Sequence, residues 1–338
     1  MEGSEEEARE VWIDSVKILA CVLVVLGHFF QSMAEAGVIQ KGYIYGWFIQ
    51  TIYFFHVPLF FICSGYLYQK LTIVNSMKTW TKNILKKVLA LGVPYFFFST
   101  VTWLLKNLFS NTVNHTADHG LMDSLLFCPL SPYWYLYALF FLFLMTPTLK
   151  TDRMAVICII FSIIMKIIKG PIADRVDYIP QFISYILGQE VWFVFGMSIS
   201  YFNLNKIMAK RQKCGAGIGI IFILLSIFIY ATNFMFNGLD FLMGFLACVA
   251  VLMILMSVKK TGFVSRFSQY TLPVYVMHTI CAAALRSIFF AAGVHNLAIH
   301  IVFGIGISFL GPIIVAEIMK RIWKLDFLLY PGKYVKME

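Results

Sequence analysis

Long apolar stretches alternate with short polar connections along the whole chain. Each stretch is near the length, about 20 residues, at which a helix crosses about 30 Å of hydrocarbon. The pattern predicts ten spans, at 11–34, 43–68, 88–109, 133–149, 154–168, 185–202, 215–231, 239–258, 271–292 and 297–319. The connections leave no room for a separate soluble domain, so residues 1–338 are expected to form one unit. An acidic tail at 1–10 and a basic tail at 321–338 flank it. The expected fold is an all-α integral membrane bundle of ten helices.

Composition supports a bilayer as the solvent. Of 338 residues, 60% are hydrophobic and 13% charged, against roughly a quarter charged in a soluble globular protein. A soluble fold could not hide so much apolar surface, because surface-to-volume scaling caps its interior. The net charge of +10 would suit nucleic acid in another setting. Here it sorts by side. With the N-terminus inside, nineteen of the 27 Lys and Arg fall in inner loops and the C-terminal tail, and five (Lys41, Lys106, Lys166, Lys169 and Arg175) fall outside. This is the positive-inside asymmetry, and it places both termini in the cytoplasm. No nucleic-acid partner is expected.

The acidic residues Glu2, Glu5, Glu6 and Glu7 are the reverse of the basic start of a secretory signal, so the first span is expected to persist in the mature chain. The seven cysteines show no paired spacing and read as small apolar packing residues. Lys166 and Lys169, in the shortest span, are long enough to snorkel to the outer interface.

Ionisable groups within a bilayer are costly, so each is a candidate for function. Lys17 and His28 lie eleven residues apart in the first span. At 100° per residue they share a face within about 20° and stand about 16 Å apart along the axis. That layout suits a long acyl-coenzyme A, its phosphates at basic residues near the cytoplasmic mouth and its thioester near the imidazole. His28 would act as general base on an acceptor hydroxyl. A buried imidazole bonded to a neighbouring helix is the structural alternative. His56 stands two residues before Pro58, which frees backbone carbonyls that an imidazole can satisfy; contact with an acceptor is the other reading. Glu190 needs a partner or a watery cavity, and Arg286 and Glu317 are expected to pair with one another. Trp134, between Tyr133 and Tyr135, fits an aromatic interface belt or a sugar-stacking platform. His115 and His119 have helical metal-ligand spacing but no third ligand at a recognised distance, so no metal is expected.

The run Phe55-His56-Val57-Pro58-Leu59-Phe60-Phe61 followed by Ser64-Gly65-Tyr66-Leu67 resembles a signature of the membrane acyltransferase 3 family, which includes sugar O-acetyltransferases. The first span resembles the same family in its basic residue, ten intervening positions and histidine, here Lys17 and His28, although the family commonly has Arg at the basic position. Pro94-Tyr95, Tyr133-Trp134-Tyr135-Leu136 and the stretch 268–275 closing on His278 extend the likeness over most of the chain.

The resemblance implies a multi-pass enzyme of the cell membrane, bacterial in origin, using acyl-CoA, and acetyl-CoA in the first place, as co-substrate without a permanently bound cofactor. Its acceptor would be an extracytoplasmic carbohydrate or lipid-linked glycan. On that reading His28 and Lys17 are catalytic, and His56, Ser64, Tyr66, Trp134 and Glu190 contact the acceptor. Lys82, Lys86 and Lys87 would gather the donor at its mouth. A secondary transporter or glycan exporter, with His28 and Glu190 relaying protons, is the alternative class, and a catalytically silent scaffold a third.

Overall fold

The computed structural model describes residues 10–72, 74, 76–173, 175, 179–258 and 262–335. Residues 1–9 of the acidic tail, and Lys259, Lys260 and Lys336 of the basic count, lie outside the described residues. Among those described there is no strand. Eight helical stretches are long and apolar enough to cross a membrane: Val11–Glu35, Tyr43–Leu71, Met77–Leu108, Asp152–Pro171, Gln181–Tyr201, Gln212–Thr232, Thr271–Ala291 and Leu297–Arg321. The protein is a multi-pass membrane protein.

Helix α1 (Val11–Glu35) runs through the centre, with Val16, Ala20, Cys21 and Val25 wholly enclosed. The second span is two helices, α2 (Tyr43–Tyr53) and α3 (His56–Leu71). Pro58 causes the break: it has no N–H for the Phe54 carbonyl, and its ring crowds the preceding turn. Helix α4 (Met77–Lys87) passes through a π-helical turn, Val88–Gly92, into α5 (Val93–Leu108). Pro94 removes the next ladder donor there, and a widened turn accommodates it.

A short α6 (Leu121–Leu126) leads to α7 (Trp134–Met145). The sequence predicts a span to 149, but α7 ends at 145, because the residue before Pro147 is pushed out of helical geometry. The chain then runs extended, and Gln69 holds it, donating to the Leu149 carbonyl at 2.9 Å and accepting from the Leu149 N–H at 2.8 Å.

Next come α8 (Asp152–Ala173), α9 (Gln181–Tyr201), the short α10 (Leu204–Ala209), α11 (Gln212–Thr232) and α12 (Leu239–Leu255). At 17 residues, α12 is about 26 Å long, so it and α7 are the two predicted spans that fall short. The short α13 (Gly262–Ser268) precedes α14 (Thr271–Ala291) and α15 (Leu297–Arg321).

The closest crossing joins α3 to α9. A Cβ on Gly65 would sit 2.0 Å from the Phe193 carbonyl oxygen, and one on Gly196 would sit 2.0 Å from that of Ile62. Only glycine permits this approach, the usual device for joining helices where lipid supplies no hydrophobic drive. Helix α14 runs alongside α1, and α15 returns antiparallel to α14. That return corrects one expectation. Arg286 near the end of α14 and Glu317 near the end of α15 stand at opposite ends of the hairpin. Glu317 instead accepts from the Tyr270 hydroxyl and pairs with Lys320, both at 2.6 Å.

Candidate active site

Helical period brings Val24, His28, Gln31, Ser32 and Glu35 onto one stripe in the second half of α1. This stripe walls a cavity of about 930 Å³, at the upper end of the range for small-molecule sites. The opposite walls come from the α2–α3 break (Tyr53, His56, Phe60), from α5 and its following loop (Thr102, Lys106, Asn114), from Trp134 and Tyr135, and from α9 and α14. All of these lie toward the end of the bundle that carries Glu35. The lining changes from aromatic within to charged and amide groups near the mouth.

Three imidazoles meet around the floor. His56 fills the gap Pro58 makes, its Nδ1 at 2.7 Å from the Ile52 carbonyl oxygen. Its ring stands edge-on to Tyr53 at 4.7 Å, and the Tyr53 hydroxyl donates to Gln31 at 2.5 Å. His28 lies between that hinge and α14, its ring centre 5.4 Å from that of His278. His278 is buried, with Nδ1 at 3.0 Å and 2.9 Å from the carbonyls of Val274 and Tyr275. On the next wall Trp134 stacks on Tyr185 at 5.1 Å and 24°, and one edge of it faces the cavity.

The mouth is polar. Arg286 is buried and donates to the Ser32 carbonyl at 3.3 Å and to the Ser32 hydroxyl, which places a cation at the carbonyl end of α1 where the helix dipole favours it. Asn114 donates to the same carbonyl at 2.9 Å and to Glu35 at 3.3 Å. Lys166 pairs with Asp240 at 2.9 Å, and both line the cavity; the carboxylate at the start of α12 holds the ammonium there.

The structure thus gathers His28, His56 and Trp134 in one space, and leaves the other predicted residues outside it. Lys17 is half-buried beside Cys63, and its charge is felt by Lys87. The Lys87 ammonium sits 4.1 Å over the Phe143 ring, while Lys82 is half-buried and Lys86 exposed. Ser64 shares a hydrogen bond of 3.0 Å with Tyr135, joining α3 to α7. Glu190 lies beside Thr146, away from the cavity.

Tyr66 belongs to the far end of the bundle. It donates at 2.7 Å to both carboxylate oxygens of Glu10, which also takes bonds from Trp12 and Lys70. Burial raises the Glu10 pKa, but these hydrogen bonds outweigh it and hold the carboxyl below its usual value of 4.5.

Sequence reasoning passed over Gln31, Tyr53, Gln189 and Asp240. Gln189 carries the α9 signal that Glu190 was assigned: it shares the cavity face with Trp192, three residues on, and its side-chain oxygen is buried without a partner.

An acyltransferase domain profile matches residues 10–317. The chain belongs to the acyltransferase 3 family. Every helix that walls the cavity lies within the matched range. Nodulation protein NolL of Mesorhizobium japonicum is 26% identical over 197 residues, 58% of this chain and 50% of that protein. The chain spans about half the length of this curated relative. No solved structure matches.

Proposed function

We propose that the protein is an integral membrane O-acyltransferase. It moves an acyl group, acetyl in the simplest case, from cytoplasmic acyl-CoA to a hydroxyl of an extracytoplasmic or lipid-linked carbohydrate. One observation carries the reading: His28 stands at the floor of a cavity with polar walls toward the Glu35 end, while Lys17 and Lys87 share the other end. On this reading ten segments cross the bilayer, with both termini and the Glu10 end cytoplasmic. The 12 residues of α7 give about 18 Å of helix, and the extended 146–149 adds about 13 Å, together enough for the hydrocarbon. The host is a bacterial cell membrane.

The chemistry needs little machinery. An acceptor hydroxyl on the cavity side gives its proton to a ring nitrogen of His28 as its oxygen bonds to the thioester carbon. The carbon–sulfur bond of the tetrahedral intermediate then breaks, and the departing thiolate takes that proton from the imidazolium. Lys17 orients the donor from the cytoplasmic end, with Lys82, Lys86 and Lys87 attracting its phosphates. His56 and Trp134 position the acceptor ring. No permanently bound cofactor or metal takes part.

The test uses purified full-length protein in lipid nanodiscs with acetyl-CoA, following free CoA as neutral and acidic oligosaccharides are supplied. Saturable, acceptor-dependent CoA release is expected, and His28→Ala should lower it by about 10²–10⁴-fold. Undiminished release by that variant would overturn the assignment. Solute uptake by proteoliposomes without CoA release would favour transport instead.

A further inference from the structure

The reading above leaves open what holds His28 in the right form. A neutral imidazole has two tautomers, and only one puts its lone pair toward a given substrate. Catalytic histidines usually have a neighbour that accepts their second N–H and so fixes the choice. Among the described residues, no carboxylate and no backbone carbonyl bonds to His28.

His278 has the required properties. Its Nδ1 faces two backbone carbonyls, at 3.0 Å and 2.9 Å. A carbonyl can only accept, so the ring's proton is on Nδ1 and Nε2 carries a lone pair. That Nε2 is buried and has no hydrogen-bond partner, an uncommon condition for a polar atom in a packed interior. The His28 ring is 5.4 Å away, centre to centre. Since a ring nitrogen lies about 1.1 Å from its ring centre, two nitrogens turned toward each other would stand about 3.2 Å apart, a hydrogen-bond length. The two backbone bonds pin His278, so rotation of the His28 ring makes the contact.

His56 cannot substitute for it. Its Nδ1 is likewise turned to a carbonyl, that of Ile52, but the residue itself lines the cavity, where the proposed function gives its Nε2 to the acceptor. The groups facing His28 are therefore one acceptor fixed behind it on α14 and one imidazole beside it on the α2–α3 hinge.

We propose that His278 is the positioning residue of the acyl-transfer centre: its Nε2 accepts one N–H of His28 and leaves the other His28 nitrogen bare toward the cavity. It touches neither substrate. It keeps the base in one tautomer and supports the imidazolium that forms when the acceptor hydroxyl gives up its proton. The inference rests on the proposed function, so the parent and His28→Ala are measured first; no acceptor-dependent CoA release by the parent would refute the acyl-transfer reading itself, whereas a fully active H28A protein would remove only His28 as its base.

With H28A inactive, two variants of the full chain in nanodiscs decide the matter. His278→Phe keeps a ring without the lone pair, and His278→Gln keeps an acceptor at the ε position. H278F is expected to lose about 10–100-fold in kcat, with KM for acetyl-CoA and acceptor changed by less than twofold. H278Q should recover most of that loss. In the parent protein, ring-nitrogen NMR of histidine-labelled samples should show one His28 tautomer, and H278F should show a mixture. A kcat within threefold of the parent for H278F, an equal loss for H278Q, or an unchanged His28 tautomer in H278F would overturn the proposal. Melting curves separate this from a packing role, which would lower stability and activity together; if H278F does not fold, the activity and tautomer of H278Q decide alone.

Discussion

Substitution of Gly196 by Ala tests the crossing on which the cavity walls depend. The new methyl carbon would stand 2.0 Å from the Ile62 carbonyl oxygen and 2.8 Å from its carbon, where ordinary contact begins at 3.4 Å. The neighbour is backbone and cannot rotate away, so α3 and α9 must part by about 1.4 Å. A gap of 0.5–1 Å already forfeits a quarter to a half of a dispersion contact, and buried side chains on both helices, among them Leu59, Phe61, Phe193 and Met197, would feel it. Overpacking of this kind costs typically 1–3 kcal/mol. With rigid backbone on both sides the upper value applies, about 3 kcal/mol, or roughly 4 °C in melting temperature for a chain of 338 residues.

Gly65→Ala meets the Phe193 carbonyl in the mirror-image clash and should cost the same. The double variant should cost clearly less than the sum, because helices parted by one methyl have room for the other. The assay is thermal unfolding of the detergent-solubilised protein followed by intrinsic fluorescence. Acyl transfer should fall alongside it, since His56, Gln189 and Trp192 line the cavity from these two helices. A single variant melting within 2 °C of the parent, or strictly additive losses, would refute the reasoning.

Three further outcomes are expected. The Glu10 carboxyl is held below its usual pKa of 4.5, so its stabilising contribution is complete above that pH and is lost as pH falls through the lower folded value. Melting curves of the parent and Glu10→Gln should therefore differ at pH 7 and converge in acid; a constant difference would refute the linkage. Asp240→Asn leaves Lys166, 15% exposed, without its partner, and should destabilise by about 1 kcal/mol more than Lys166→Met, read in the same melts. Cys214 is exposed just inside the start of α11, so a membrane-impermeant maleimide should label it only after cells are permeabilised. Labelling in intact cells would reverse the proposed orientation.

The spans were readable because a bilayer demands about 20 apolar residues whatever surrounds them, and that demand leaves its mark along the sequence. Helix α7 was read too long although its stop signal, Pro147, stood in plain view; the long apolar run before it and Leu149 after it concealed it. The cavity lining was readable only in part. His28, which lines it, was singled out because a lone ionisable group in an apolar run is conspicuous. Its companions Gln31, Tyr53 and Gln189 are uncharged and looked like ordinary membrane residues.

Lys17 shows the limit of angular reasoning. A shared helix face does not imply a shared cavity, because about 16 Å of axis separates it from His28. Glu190 was singled out for its charge, yet one residue is 100° of rotation, and the helix turned its neighbour Gln189 inward. Arg286 and Glu317 were matched as complementary charges, although the alternation of the last two spans already runs them in opposite directions and sends the two residues to opposite ends.

The break between α2 and α3 has a broader consequence. It is made by a missing proline N–H and mended by the His56 imidazole on a main-chain carbonyl, so the pose of that ring is inherited from the peptide scaffold. On the proposed reading, Lys106, Trp134 and Gln189 on the cavity wall are free to change with the acceptor, while the imidazole at the hinge keeps its seat.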